Sequence, residues 1–288
     1  MTDKTPAVEK KLYKGKVNIK FFPDSHIYYV DGVRVGSVTG AIGIIDKSRA
    51  LIPWAVETTG DFLRERLGQK LTDEMIDEAV EQHGIKKTQA SNVGTKSHEW
   101  MEQFVKGENP EMPEDKNVLQ AVNGFLKWVD EHKVKFLEAE KLLYSKKYKY
   151  VGLMDATATM GKDKTIKFVI DYKVSNGLYP GVAYQTAAYM MADQEESGIK
   201  YQGRWAIRLS KETEAEYHTR MDKKMQKYLK KNPDKTAYPI SPYAPFEARY
   251  LDNIEENIER DYRGFLLAKD LNELNSKVDR EFFDATKS

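Results

Sequence analysis

Asp155, Asp171 and Lys173 are the residues on which this sequence can build chemistry. Position 163 lies midway between the two aspartates and falls inside the turn-like run Gly161-Lys162-Asp163-Lys164. If the flanking segments pair as an antiparallel hairpin, the carboxylates land nearly opposite one another. There they repel unless a cation or a proton stands between them. Asp171 and Lys173 are two apart, so on a strand their side chains leave the same face. Two carboxylates and an ammonium on one face are what metal-assisted phosphodiester hydrolysis requires: the carboxylates hold Mg²⁺ or Mn²⁺, and the lysine positions or deprotonates the attacking water. Taken singly, each of the three is better read as a strand-end charge or its solvated partner. Asp171 speaks against that reading, because it follows the β-rich, largely apolar run Ile166–Ile170, and a charge emerging from a buried strand is costly without a partner.

Further candidates are weaker alone. In Gly94-Thr95-Lys96-Ser97-His98-Glu99-Trp100-Met101-Glu102, His98 and Glu102 are four apart and share a face if the segment is helical; a locally hydrogen-bonded histidine fits equally well. Glu140 lies in the strand-like Phe136-Leu137-Glu138-Ala139-Glu140 and fits a salt bridge just as easily. Gln185 and Tyr189 form another same-face helical pair one loop after Lys173. They read as a solvated amide and a core-edge phenol, or, near a cleft, as groups that bind a phosphate or stack on a base.

The elements that must position these residues are legible in outline. Residues 1–16 are polar and read as a disordered tail. From Val17 to Val35 the pattern is β-like, with an Asp31-Gly32 hairpin turn between apolar runs; Ser37 or Thr39 can cap the helix that follows. Helical patterns run over about 50–67, 72–82, 89–106 and 115–132, with Gly107, Pro110 and Pro113 separating the last two. Strand-like runs follow at 134–144, 150–159 and 165–173, then a helix opened by Pro180 to about 195, a strand at 203–209, a proline-rich stretch at 232–245, and helix from about 250. The sum is an α/β chain: a small mixed β-sheet flanked by helices, with a helix-rich N-terminal region.

Composition bounds the function. Lys and Arg total 46 against 45 Asp and Glu, so a nucleic-acid site must be a local basic patch and not a global field. The chain has no cysteine, which excludes disulfides, thiolate zinc sites and cysteine-ligated iron–sulfur clusters. The charged N-terminus lacks the apolar core of a signal peptide, and no apolar run approaches the roughly 18–20 residues of a membrane span. A cytoplasmic protein is expected.

Taken together, the pieces resemble a family. Gly94-Thr95-x-x-His98-x-x-x-Glu102, Gly152-x-x-Asp155, Asp171-Tyr172-Lys173 and Gln185-x-x-x-Tyr189 occur in the order found in RecB-like PD-(D/E)XK nucleases. His26-x-Tyr28 with Asp31-Gly32, then Gly36-Ser37-Val38-Thr39 and Trp54, is similar to the N-terminal segment of phage-type exonucleases and of the mitochondrial genome maintenance exonuclease. The resemblance covers roughly residues 20–210. It implies a restriction-endonuclease-like core and His98, Asp155 and Asp171 as ligands of one or two Mg²⁺ or Mn²⁺ ions. Lys173 would be the catalytic lysine, Glu102 or Glu140 an auxiliary group, and Gln185 and Tyr189 substrate-binding or bracing residues. Relatives with an iron–sulfur cluster need four cysteines, so this chain would belong to the cluster-free branch.

The resulting expectation is one nuclease domain over 17–288, with a hairpin and helical region at 17–132, a catalytic core at 133–210 and a C-terminal extension at 211–288. Its activity would be metal-dependent exonucleolytic hydrolysis of DNA in recombination, repair or end processing, with a phage origin and a recombination partner protein in view. A structure-selective endonuclease is the alternative on the same fold; a non-catalytic nucleic-acid-binding module would not need the intact Asp155, Asp171 and Lys173. The lysines and arginines from Arg220 to Lys231 read mainly as a solvated helix face.

Overall fold

The Asp31-Gly32 pair adopts positive φ at both residues, 48° and 81°, and closes a hairpin between β3 (Ile27–Val30) and β4 (Val33–Val35) with Val30 opposite Val33. Both residue types tolerate that left-handed turn. The hairpin belongs to an antiparallel sheet of order β1-β2-β3-β4, in which β1 is Val8–Leu12 and β2 is Val17–Phe22. The computed structural model describes residues 5–237, 239–254 and 256–285. The expected disordered tail at 1–16 is therefore corrected: Val8 to Leu12 pair with Phe21 to Val17, although only Leu12 is buried. A partner strand, not an apolar face, orders this segment. Residues 1–4 lie outside the described residues.

Helices then follow: α1 (Val38–Ile42), α2 (Ser48–Arg64), α3 (Asp73–Val105) and α4 (Lys116–Glu131). Ser37 caps α1 through its side-chain oxygen, 3.0 Å from the Gly40 nitrogen, and Asp115 caps α4 in the same way. The two helices expected at 72–82 and 89–106 are one 33-residue helix. No proline interrupts the intervening segment, and Gly84 alone, at about 1 kcal/mol relative to alanine, does not break a helix anchored at its far end.

The second sheet has the order β5-β6-β7-β8-β9 and mixed polarity. Its strands are β5 (Lys135–Ser145), β6 (Tyr150–Thr159), β7 (Lys167–Val174), β8 (Gly203–Leu209) and β9 (Phe246–Tyr250). Only β7 and β8 run parallel, joined by the crossover helix α5 (Gly181–Ser197). The stretch from Phe246 to Tyr250 had no strand signal in sequence; it is an edge strand on β8, and helix α7 (Glu256–Ala285) begins after it. Between β8 and β9 lies α6 (Glu214–Lys231), started by a Thr213/Glu216 capping box. The result is the α/β arrangement expected: a mixed sheet flanked by helices, with a second small sheet at the N-terminus.

Three apolar cores fix these parts. One joins α3 and α4 to the sheet through Met101, Phe125, Trp128, Ile170, Tyr172 and Ile207. A second places α1, α5 and α7 on the other side, through Val38, Tyr189, Phe265, Met154 and Val169. The third sets the N-terminal sheet on β5 and β6 through Ile19, Phe21, Tyr28, Leu142 and Val151. Arg204, fully buried, ties β8 to α7 and α5. Its guanidinium meets Asp252 at 2.5 Å, Asp261 at 2.9 Å and the Ala183 carbonyl at 2.7 Å. Among the described residues, no helix is long and apolar enough to cross a membrane.

Candidate active site

β6 and β7 pair from Thr159↔Lys167 to Ala156↔Ile170 and then part. The next step of that register is Asp155 and Asp171, so the two carboxylates face one another where the strands fork. β7 stays paired with β8 through Val174↔Leu209. β6 stays paired with β5, and its other edge receives the N-terminal segment: the Val151 nitrogen donates to the Gly36 carbonyl at 3.1 Å. Each strand thus keeps its partners while the fork between them admits side chains.

Inside the fork the Tyr172 backbone nitrogen donates to Asp155 Oδ2 at 3.1 Å. The Lys173 ammonium lies 2.8 Å from Asp171 Oδ1 and 3.8 Å from Asp155 Oδ2. Asp171 is fully buried, and its Oδ2 has no hydrogen-bond partner. Burial pushes the Asp171 carboxyl up to about 6, with Lys173 opposing and Asp155 reinforcing. Asp155 is raised by burial as well, against the pull of Lys173. Burial works to lower Lys173, but the two aspartates outweigh it and hold the ammonium charged above its ordinary range.

Two of the weaker candidates approach the same place. Glu140 lies between Ala139 and Lys141, which pair with Ala156 and Met154, so it stands opposite Asp155. Its backbone takes the left-handed φ of 46°, and burial, then Asp155 and Glu102, push its carboxyl up to about 8. His98, on α3, packs on the Tyr172 ring with centroids 5.0 Å apart. Burial and then Lys173 press its pKa down to about 4, against Asp171. The imidazole is therefore neutral at ordinary pH, the form in which a histidine ligates a metal. Glu102 is turned toward Lys106, its i+4 neighbour, in a close ion pair, although its charge is felt at Glu140 and His98.

Gln185 and Tyr189 on α5 close the fork from the helix side. Gln185 Nε2 donates to Tyr189 Oη at 3.0 Å, and both side chains are buried. The Tyr189 ring lies on Gly152: a Cβ built there would stand 2.5 Å from Tyr189 Cε1 and 3.2 Å from Val38 Cγ2. Here the glycine is required by close approach, not by its dihedral angles. A stacking role for Tyr189 does not fit this position, since the ring is 2% exposed. Trp100 is likewise buried, and its indole nitrogen donates to the Glu111 carbonyl at 2.9 Å; Trp54, edge-on to His83, stays partly open. Of the basic residues after residue 211, Arg220 is bound to Glu212, and Lys227 bridges to Glu57 and Asp61.

Sequence reasoning missed the part of Tyr172, whose backbone nitrogen holds Asp155 and whose ring seats His98. A residue between two candidate site residues could have been flagged by its place in the strand, but its hydrogen bond depends on the fork. Among the described residues, no three His, Asp or Glu side chains stand grouped ready to hold a cation; the Lys173 ammonium lies nearer Asp171 than Asp155. The unpartnered Asp171 Oδ2, the Asp155 and Glu140 carboxyls and the neutral His98 are, by chemical type, the hard oxygens and imidazole that divalent cations take.

No protein-family model matches the chain, and no curated protein matches it in sequence. Among solved structures, the alkaline exonuclease LHK-Exo from Laribacter hongkongensis is similar at 11% identity, over 87% of this chain and 93% of that one, with a TM-score of 0.33. The reading of the site rests on its own geometry.

Proposed function

We propose that this chain is a Mg²⁺- or Mn²⁺-dependent deoxyribonuclease that hydrolyses DNA from its ends. The observation that carries the reading is the buried, mutually repelling pair Asp155 and Asp171 at a strand fork, with Lys173 alongside and Asp171 Oδ2 unpartnered. Two buried carboxylates sharing one ammonium are costly, and a structural role would be better served by apolar residues.

Asp155, Asp171 and His98 would hold the cation, with Glu140 as an auxiliary carboxylate. A bound cation supplies positive charge against the scissile phosphate and acidifies water. Tyr172 fixes the Asp155 carboxylate through its backbone N–H. Lys173 would orient the attacking water, and its ammonium, 2.8 Å from Asp171 Oδ1 and 3.8 Å from Asp155 Oδ2, would give a proton toward a developing oxyanion. Gln185 and Tyr189 brace β6 against α5 so that Asp155 keeps its position. We assign the enzyme to the cytoplasm, to recombination, repair or end-processing substrates, and to a phage or prophage origin.

Calorimetric titration with Mn²⁺ tests the assignment. Asp155→Asn and Asp171→Asn should each weaken binding by about tenfold or more and abolish DNA hydrolysis. Wild-type affinity in both variants would remove these residues from a metal site.

A further inference from the structure

Helix α7 runs from Glu256 to Ala285, but the body of the protein uses only its first half. Ile258, Tyr262, Phe265 and Leu266 pack into the core beneath α5, and Ala268 is the last buried among the described residues. From Glu273 to Glu281 every residue is exposed. Along α7, from just before Ala268 into this projecting part, Leu267, Leu271, Leu274 and Val278 are 51–62% exposed. Their spacing of four, three and four is the a/d seam of a coiled coil. At 100° per residue they fall within about 60° of arc, on the side opposite Phe265. The body of the protein therefore leaves the whole seam open.

We propose that this seam is the interface of a symmetric dimer, in which α7 pairs antiparallel with α7 of a second copy. The flanking charges select that partner. The register that sets Leu271 against Leu274 of the second copy also sets Leu267 against its Val278, so the two-fold axis generates four apolar layers. In that register the flanking positions beside the seam bring Asp270 to Lys277 of the second copy, and the symmetry repeats the pair. The other flank brings the small Ala268 to Asn275, with no charge to repel. Asp270 is 68% exposed, with Lys269 3.9 Å away as its only neighbouring cation in the ion pairs of the described residues, so it is free to turn toward the seam. A parallel pair would instead leave Asp270 beside Asn275 and Lys277 without an acid across from it. The helix itself gives a second reason: a solvated segment of this length is marginal in water without a packed face, and the layers supply one.

The dimer does not depend on the catalytic reading, and sedimentation separates the two. Wild-type protein is examined from about 1 to about 100 µM, the range of weak dimer affinities. It should pass from monomer to dimer. Asp270→Lys or Lys277→Asp alone, each of which places like charges across the seam, should raise the dissociation constant about tenfold or more, and the double swap should restore it. Thermal unfolding confirms that each exposed-site variant is folded. Because the chain has no cysteine, Leu267→Cys and Val278→Cys chains offer a second test: mixed and oxidised, they should form the heterodisulfide. A protein monomeric throughout, a dimer indifferent to charge reversal, or cross-linking of like with like alone would overturn the proposal.

Discussion

Gly152→Ala is the perturbation that asks most of the fork geometry. The added Cβ would stand 2.5 Å from Tyr189 Cε1 and 2.9 Å from its Cδ1, whereas carbon atoms rest about 3.5–4.0 Å apart. The ring or the strand must therefore retreat by about 1 Å. The ring has little room: it is 2% exposed, and its hydroxyl is held by Gln185 at 3.0 Å. Overpacking of this kind costs about 1–3 kcal/mol. At roughly 2–4 °C per kcal/mol for a large domain, the melting temperature should fall by about 5 °C. Whatever part of the strain β6 absorbs is passed to Asp155 three residues on, and a displacement of about 1 Å at a catalytic group can cost about 100-fold in rate. Thermal unfolding and hydrolysis of linear DNA read the two effects. Combining Gly152→Ala with Tyr189→Leu should recover at least about 1 kcal/mol relative to additivity, because the two residues touch. Unchanged melting and activity in Gly152→Ala, or strict additivity in the double variant, would refute the reasoning.

In EDTA, Asp171→Asn should be more stable than wild type at neutral pH. The folded state holds Asp171 protonated up to about 6, while the unfolded chain sheds that proton near 3.9. Wild-type stability therefore falls as pH rises through that window, by at most about 3 kcal/mol before the lost Lys173 partner is subtracted. The variant's advantage must grow from acid to neutral pH, and a pH-independent difference contradicts this. Arg204→Ala should cost about 3–5 kcal/mol in urea unfolding, since it removes the cation from Asp252 beside β8 and leaves Asp261 with Arg260 alone; a loss under about 1 kcal/mol would show that the network is not a support. Linearised plasmid should be degraded with Mg²⁺ while the covalently closed form survives; rapid nicking of the closed circle would replace the exonuclease reading with the endonuclease alternative.

The opposition of Asp155 and Asp171 was legible because one turn, Gly161 to Lys164, sets the register of both strands. The Asp31-Gly32 hairpin was legible for the same local reason. The fork was not. It arises because β8 takes β7 on one side, while Gly36 and Ser37, far earlier in the chain, take the free edge of β6. Edge strands β1 and β9 escaped for the same cause: their order comes from a neighbour, and their own burial patterns are mostly exposed or half-buried. For α5 the spacing of Gln185 and Tyr189 showed that they share a face but not where it points. The run from Gln185 to Met190 is buried without interruption, so no amphipathic stripe separates core from solvent. Tyr189 thus proved to be a wedge on Gly152 and not an open stacking surface.

The central claim is that Lys173 acts with the paired aspartates on a phosphodiester, and hydrolysis of end-labelled linear DNA tests it most directly. Lys173→Gln keeps a donor near Asp171 Oδ1, and its folding is verified by melting. Wild-type protein should shorten the DNA with Mg²⁺ or Mn²⁺ and stop on addition of EDTA, while Lys173→Gln should bind the same DNA and turn it over at least about 100-fold more slowly. A variant that cuts at the wild-type rate, or a wild-type protein inert with both metals, would contradict the account.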